Sequence, residues 1–153
     1  MRTESTSYTW GCIPVYKDTI TLFKRDPDRK WHPTILRNVN LNMDRAAIVA
    51  KYGEQSSDAA ILNVQYTVED GQIMVGGKPW ESPKEWRDES QISFTSGNDF
   101  DFFWLGEWDE GTVDDTAYFG GFYQWMNKNY DFVFAITGFS MFTVIPHFEV
   151  TGR

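Results

Sequence analysis

Cysteine is almost absent from this chain. Its single thiol, Cys12, has no partner for an internal disulfide, and one cysteine with two histidines is too few to close a structural zinc site. Folding in a reducing cytoplasm is expected. No apolar run approaches the roughly 20 residues needed to span a bilayer, so no membrane helix is predicted. Met1 to Trp10 is polar and rich in hydroxyls, without the apolar stretch of a secretory signal. Basic residues are missing over a long interval: none lies between Arg87 and Lys128, while nine acids fall from Asp88 to Asp115. Residues 1–76 hold nine basic and nine acidic side chains, and residues 77–153 hold five and thirteen, so the net charge of -8 belongs to the second half. Such a surface repels phosphates and excludes tight or sequence-specific DNA binding, although DNA can still slide past it. Internal repeats and low-complexity tracts are lacking too. With 153 residues, the chain is the size of one domain.

What is present is period-two alternation, the mark of strands. Lys17 to Lys24 sets Ile20 and Leu22 against Thr19, Thr21 and Phe23, and Asp26-Pro27-Asp28 supplies a turn. Trp31 to Met43 follows, with Val39, Leu41 and Met43 alternating against asparagines. Leu62, Val64, Tyr66 and Val68 alternate with Asn63, Gln65 and Thr67. Glu69-Asp70-Gly71 predicts a turn into a short strand, Gln72–Val75, ended by Gly76-Gly77. Ser82-Pro83 opens a capped helical turn with Glu85 completing a capping box. Phe100 to Leu105 reads as an aromatic strand, Asp109–Thr116 as an acidic loop, and Ala117–Lys128 as a helix weakened by Gly120-Gly121. Two strands, Asp131–Thr137 and Met141–Val150, close the pattern, with a turn near Gly138 and Ser140. The expected fold is mainly β: a small antiparallel β-barrel or sandwich with one or two short helices and extended arms and loops. Residues 1–16 form a flexible arm in this reading. Residues 17–153 form one barrel-like domain with a mobile loop around 44–58 and an acidic, aromatic insert around 99–116.

Motifs of nucleophilic catalysis are missing, and His32 and His147, each beside a proline, read as strand-end residues and not as catalysts. Asp99, Asp101, Glu107, Asp109, Glu110, Asp114 and Asp115 place seven oxygen donors within seventeen residues. They could hold a hard cation such as calcium, but the spacing of an EF-hand loop is missing, and a solvated acidic loop or lining is the simpler reading. Asp101 and Glu107, flanked by Trp104 and Trp108, also resemble the paired acids and stacking rings of a sugar-cleaving site. Seven Trp, seven Tyr and twelve Phe exceed what a small core needs. Some of these rings are therefore expected at a protein–protein surface, with Trp104, Trp108 and Trp125 as candidate anchors. No cofactor is expected.

The order of D-T-I-T-L-F-K-R at 18–25 and P-T-I-L-R-N-V at 33–39 resembles the opening strands of the small head-completion proteins of tailed phages, also called head-closure, stopper or head–tail connector proteins. The segments at 73–87 and 94–107 are similar to related phage minor capsid proteins, and 130–139 with 145–153 to their closing hairpin. The resemblance implies a non-enzymatic β-barrel. Copies of it would form a ring in the virion neck, between a portal or adaptor protein and the tail proteins. The seven acids would then line the lumen or the ring-to-ring contacts, with phage DNA passing through unbound; a solvated outer loop stays open for the same residues. The alternative from another class is a carbohydrate- or ligand-binding β-sandwich, with a small hydrolase using Asp101 and Glu107 behind it.

Overall fold

The computed structural model describes residues 15–43 and 59–153; the expected arm as far as residue 14, Cys12 within it, and the expected loop at 44–58 lie outside the described residues. The described residues form ten strands: β1 Asp18–Arg25, β2 Lys30–Met43, β3 Ala60–Gln65, β4 Thr67–Glu69, β5 Gln72–Val75, β6 Lys78–Pro79, β7 Phe102–Trp104, β8 Val113–Asp114, β9 Val133–Phe142 and β10 His147–Gly152. Among the described residues one α-helix, α1, spans Phe122–Asn129. Six strands close on themselves in the order β1-β7-β9-β10-β3-β2, with β2 returning to pair β1, and all pairs are antiparallel. The fold is an antiparallel β-barrel, one of the two architectures that the alternation left open. Strand β8 adds to β2 outside the closed ring, and β4-β5-β6 form a small separate sheet.

The alternation explains the barrel interior. Ile20, Leu22, Leu62, Val64, Phe103, Phe148 and Val150 are buried in one cluster, joined by Val75, Ile92 and Phe94 from the small sheet and the segment after it. A period-two strand normally wets its other face. Here Thr21 and Phe23 on the second face of β1 are fully buried as well, because a second cluster covers that face with Trp31, Trp108, Phe122, Met126 and Val133. Thr21 tolerates this burial through two bonds: its hydroxyl donates to the Gly106 carbonyl at 2.8 Å and accepts from the Trp108 amide at 3.0 Å.

Strand β2 keeps its length by changing parity midway. Asp18 faces Val39 and Ile20 faces Leu36, a bulge at which Asn38 takes φ 58°. Leu36 and Val39 both turn inward as a result, which strict alternation forbids.

Several element boundaries differ from the sequence reading. Val68 is exposed because the chain leaves the barrel after Tyr66 and enters the small sheet. The capped turn at Ser82 is one turn, closed by the Glu85 and Trp86 amides donating to the Ser82 carbonyl. The aromatic strand shrinks to β7, preceded by a 3-10 turn at Gly97–Asp99. Helix α1 starts only at Phe122: Gly120 and Gly121 take φ 80° and 97° before it, so the glycines form the approach and cost the helix nothing. Finally, Gly138 lies inside β9 opposite Thr151, and the reversal comes at 143–146, where Pro146 has no amide hydrogen to offer a ladder.

Candidate functional site

The seven acids singled out by sequence separate into two kinds. Asp101 and Asp115 are buried inside the fold. Asp101 Oδ2 accepts from Lys24 Nζ at 3.1 Å and from the Thr95 amide at 2.8 Å, while its Oδ1 is buried without a partner. Lys24 also donates to Thr95 Oγ1 and lies 4.9 Å from the centre of the Trp86 ring. Burial pushes the Asp101 carboxyl up to about 6, against the opposing pull of Lys24.

Asp115 organises the second cluster. Its Oδ1 accepts from the Trp31 indole at 2.8 Å and from the first helical amide, that of Phe122, at 2.9 Å, and its Oδ2 accepts from Arg29 at 3.0 Å. Burial alone would raise its pKa; the bonds from Trp31, Phe122 and Arg29 outweigh it and hold the carboxyl below its ordinary value. These two aspartates shape the interior, and Asp115 also lines a small surface pocket beside Arg29.

The exposed acids are dispersed. Asp99 pairs with Arg25 at 3.1 Å, Glu107 with Arg37 at 2.8 Å and Asp114 with Lys30 at 3.4 Å; Asp109 and Glu110 lie on the surface. Five of the seven carboxylates considered for calcium thus answer to separate cations. The same holds for the two considered for sugar cleavage, since Asp101 is buried against Lys24 and Glu107 is exposed against Arg37.

The three tryptophans differ as well. Trp108 is buried, stacked edge-on against Phe23 and Phe122, with its indole donating to the Gly111 carbonyl. Trp104 and Trp125 are half-buried and meet over Tyr130, at 5.1 and 5.8 Å. His32 sits between Asp26 at 2.7 Å and Glu89 at 3.1 Å, and His147 stacks on Phe142 at 4.8 Å. Both imidazoles are held by structure, which fits their reading as strand-end residues.

Two surface features escaped the sequence reading. The tip of the β9–β10 hairpin is bare and apolar: Met141, Phe142, Val144 and Ile145 are exposed, Val144 to 95%. The run M-F-T-V-I reads as the interior of a buried strand, and only the position of the reversal reveals it as a tip. Phe119, just before the two glycines, is also wholly exposed. A cleft of about 870 Å³ opens beside Lys24, Arg25, Arg29, Trp86 and Arg87. Its basic character is local, because Lys24, Arg25 and Arg29 each already hold an aspartate.

Residues 15–153 match a family described as a family of unknown function, DUF6751. No curated protein and no solved structure matches the chain.

Proposed function

The chain belongs to DUF6751, and from that membership in a family without an assigned role we propose a function drawn from its own surface: a structural virion protein of a tailed-phage neck. Copies of it form a ring between the portal or adaptor protein and the tail proteins, closing the DNA-filled head and docking the tail. The observation that carries this reading is the bare apolar tip of the β9–β10 hairpin on a barrel whose strands are otherwise closed. Closure removes free strand edges from the ring of six, which favours association through side chains there, and Met141, Phe142, Val144 and Ile145 form a run of exposed apolar side chains at one tip. A contiguous exposed apolar patch of this kind marks an interaction site. The exposed acids, Asp99, Glu107, Asp109, Glu110 and Asp114, suit a wall past which DNA moves, since they release no counterions from phosphate. The protein folds in the host cytoplasm and ends in the virion.

The test is negative-stain microscopy of particles from a phage lacking this gene, complemented in trans. Wild-type protein is expected to restore tailed virions. The double variant V144D/I145D is expected to leave tailless heads that have lost their DNA. Normal tailed virions without the protein would overturn the reading.

A further inference from the structure

We propose that His32 is a pH-dependent clasp: its doubly protonated ring ties the segment 82–91 to the barrel, and loss of one proton releases that segment at Glu89. The segment follows β6 and is stemmed by two backbone bonds, from the Ile92 amide to the Pro79 carbonyl and from the Glu81 amide to the Ile92 carbonyl. Beyond those stems it bonds chiefly to itself. The Glu85 and Trp86 amides donate to the Ser82 carbonyl, the Trp86 indole donates to the Gln91 carbonyl, and the Arg87 amide donates to Gln91 Oε1. Among the described residues one hydrogen bond joins 82–91 to the barrel strands, from His32 Nδ1 to Glu89 Oε2 at 3.1 Å. The second hold is the Trp86 ring. Lys24 and His32 are direct partners across β1 and β2, and Trp86 lies over both, 4.9 Å from Lys24 Nζ and 6.1 Å from the imidazole centre.

The other ring nitrogen, Nε2, lies 2.7 Å from Asp26 Oδ2. An ionised carboxylate only accepts, so bonds at both nitrogens require an N–H on each, which is the imidazolium. A neutral imidazole has one N–H to share between two carboxylates. Asp26 is the fixed partner, since its Oδ1 accepts from the Asp28 and Lys30 amides at 2.9 Å each. The neutral ring therefore keeps its hydrogen on Nε2, and Nδ1 turns a lone pair toward Glu89. The Glu89 side chain is 65% exposed and can swing into water. Histidine changes charge between about pH 5 and 8, so the clasp is closed at the acid end of that range and open at the other. The remaining charges act around this contact. Asp88 attracts the imidazolium and faces Arg87, while Lys78 on β6 attracts Glu89. Lys24 is held by Asp101, whose carboxyl, raised to about 6 by burial, changes charge in the same range. Pro83, Trp86 and Arg87 form one wall of the cleft that Lys24, Arg25 and Asp26 line opposite, so the clasp sets the position of that wall.

Imidazole NMR and amide hydrogen exchange on the full chain test the clasp together. The neutral ring of His32 is expected to carry its proton on Nε2. Protection of the amides at 84–91, corrected for intrinsic exchange, should fall by about two- to fivefold between about pH 5.5 and about pH 8, the range of an exposed ion pair. In E89Q that protection should no longer depend on pH, because a glutamine amide can donate to a bare Nδ1 and its carbonyl can accept from a protonated one. H32Q, which has no titrating ring, should lose the pH dependence as well. A neutral His32 with its proton on Nδ1, or wild-type protection that is constant with pH, would overturn the proposal. So would a fall that persists in E89Q and H32Q, which would assign the response to Asp101.

Discussion

At the scale of single residues, two aspartates from one acidic run carry opposite electrostatic consequences. Asp101 has a folded pKa raised to about 6. Between the ordinary carboxylate range and that value the folded chain holds a proton the unfolded chain has lost, so this residue favours folding most below pH 4 and loses that contribution as pH rises through about 6. Asp115, held below its ordinary value, acts the other way: its contribution is present above the ordinary carboxylate range and is lost as pH falls through the lowered folded pKa. Lys24→Met should cost about 3–5 kcal/mol at pH 7 by leaving a buried carboxylate without its cation. The cost should shrink at pH 5, where the carboxyl is protonated, and urea unfolding at the two pH values measures the difference; equal costs would refute the pairing. Asp115→Ala removes the partner of an indole, a guanidinium and a helix amide together, and should cost about 3 kcal/mol in the same assay. The sequence identified both acids but set them on the surface. Their side-chain partners Lys24, Trp31 and Arg29 lie 77, 84 and 86 positions away, a separation that no local spacing reveals.

The elements were legible to the extent that they are made by neighbours. Alternation found β1, β2 and β3, and Gly76-Gly77 marked the end of β5. It failed where tertiary contacts decide the boundary: the Asn38 bulge, the Gly120-Gly121 approach to α1, and the β9–β10 reversal. Glycine identity alone could not separate a turn from a close approach. Gly152 is the close approach, since a Cβ there would stand 2.9 Å from Phe134 Cβ and 3.1 Å from the Phe103 ring, while at Gly138 it would meet only Thr151 Oγ1 at an ordinary 3.6 Å. Gly152→Ala should therefore destabilise by about 1–3 kcal/mol through overpacking. Gly138→Ala should stay within about 0.5 kcal/mol of wild type. Thermal melting of the two variants compares them, and an equal loss at both sites would contradict the packing described.

For the molecule as a whole, the β class and the acidic second half could be read from the chain, and the choice between barrel and sandwich could not. Closure depends on β7, three residues long, which joins β1 to β9. No pattern so short announces a seam. The same global view separates the apolar hairpin tip from the core: V144D/I145D should leave the melting temperature unchanged, since Val144 and Ile145 are exposed, and a marked loss would mean that the tip supports the fold. The seam also bears on synthesis. β1 buries both of its faces, yet the strand that pairs its outer edge begins at Phe102, about 80 residues later in the chain. At roughly 5–20 residues per second a ribosome needs roughly 4–16 s to deliver it. During that interval Phe23 and its neighbours are uncovered and one edge of β1 is unpaired, so the newborn chain is most prone to aggregate just before its barrel can close.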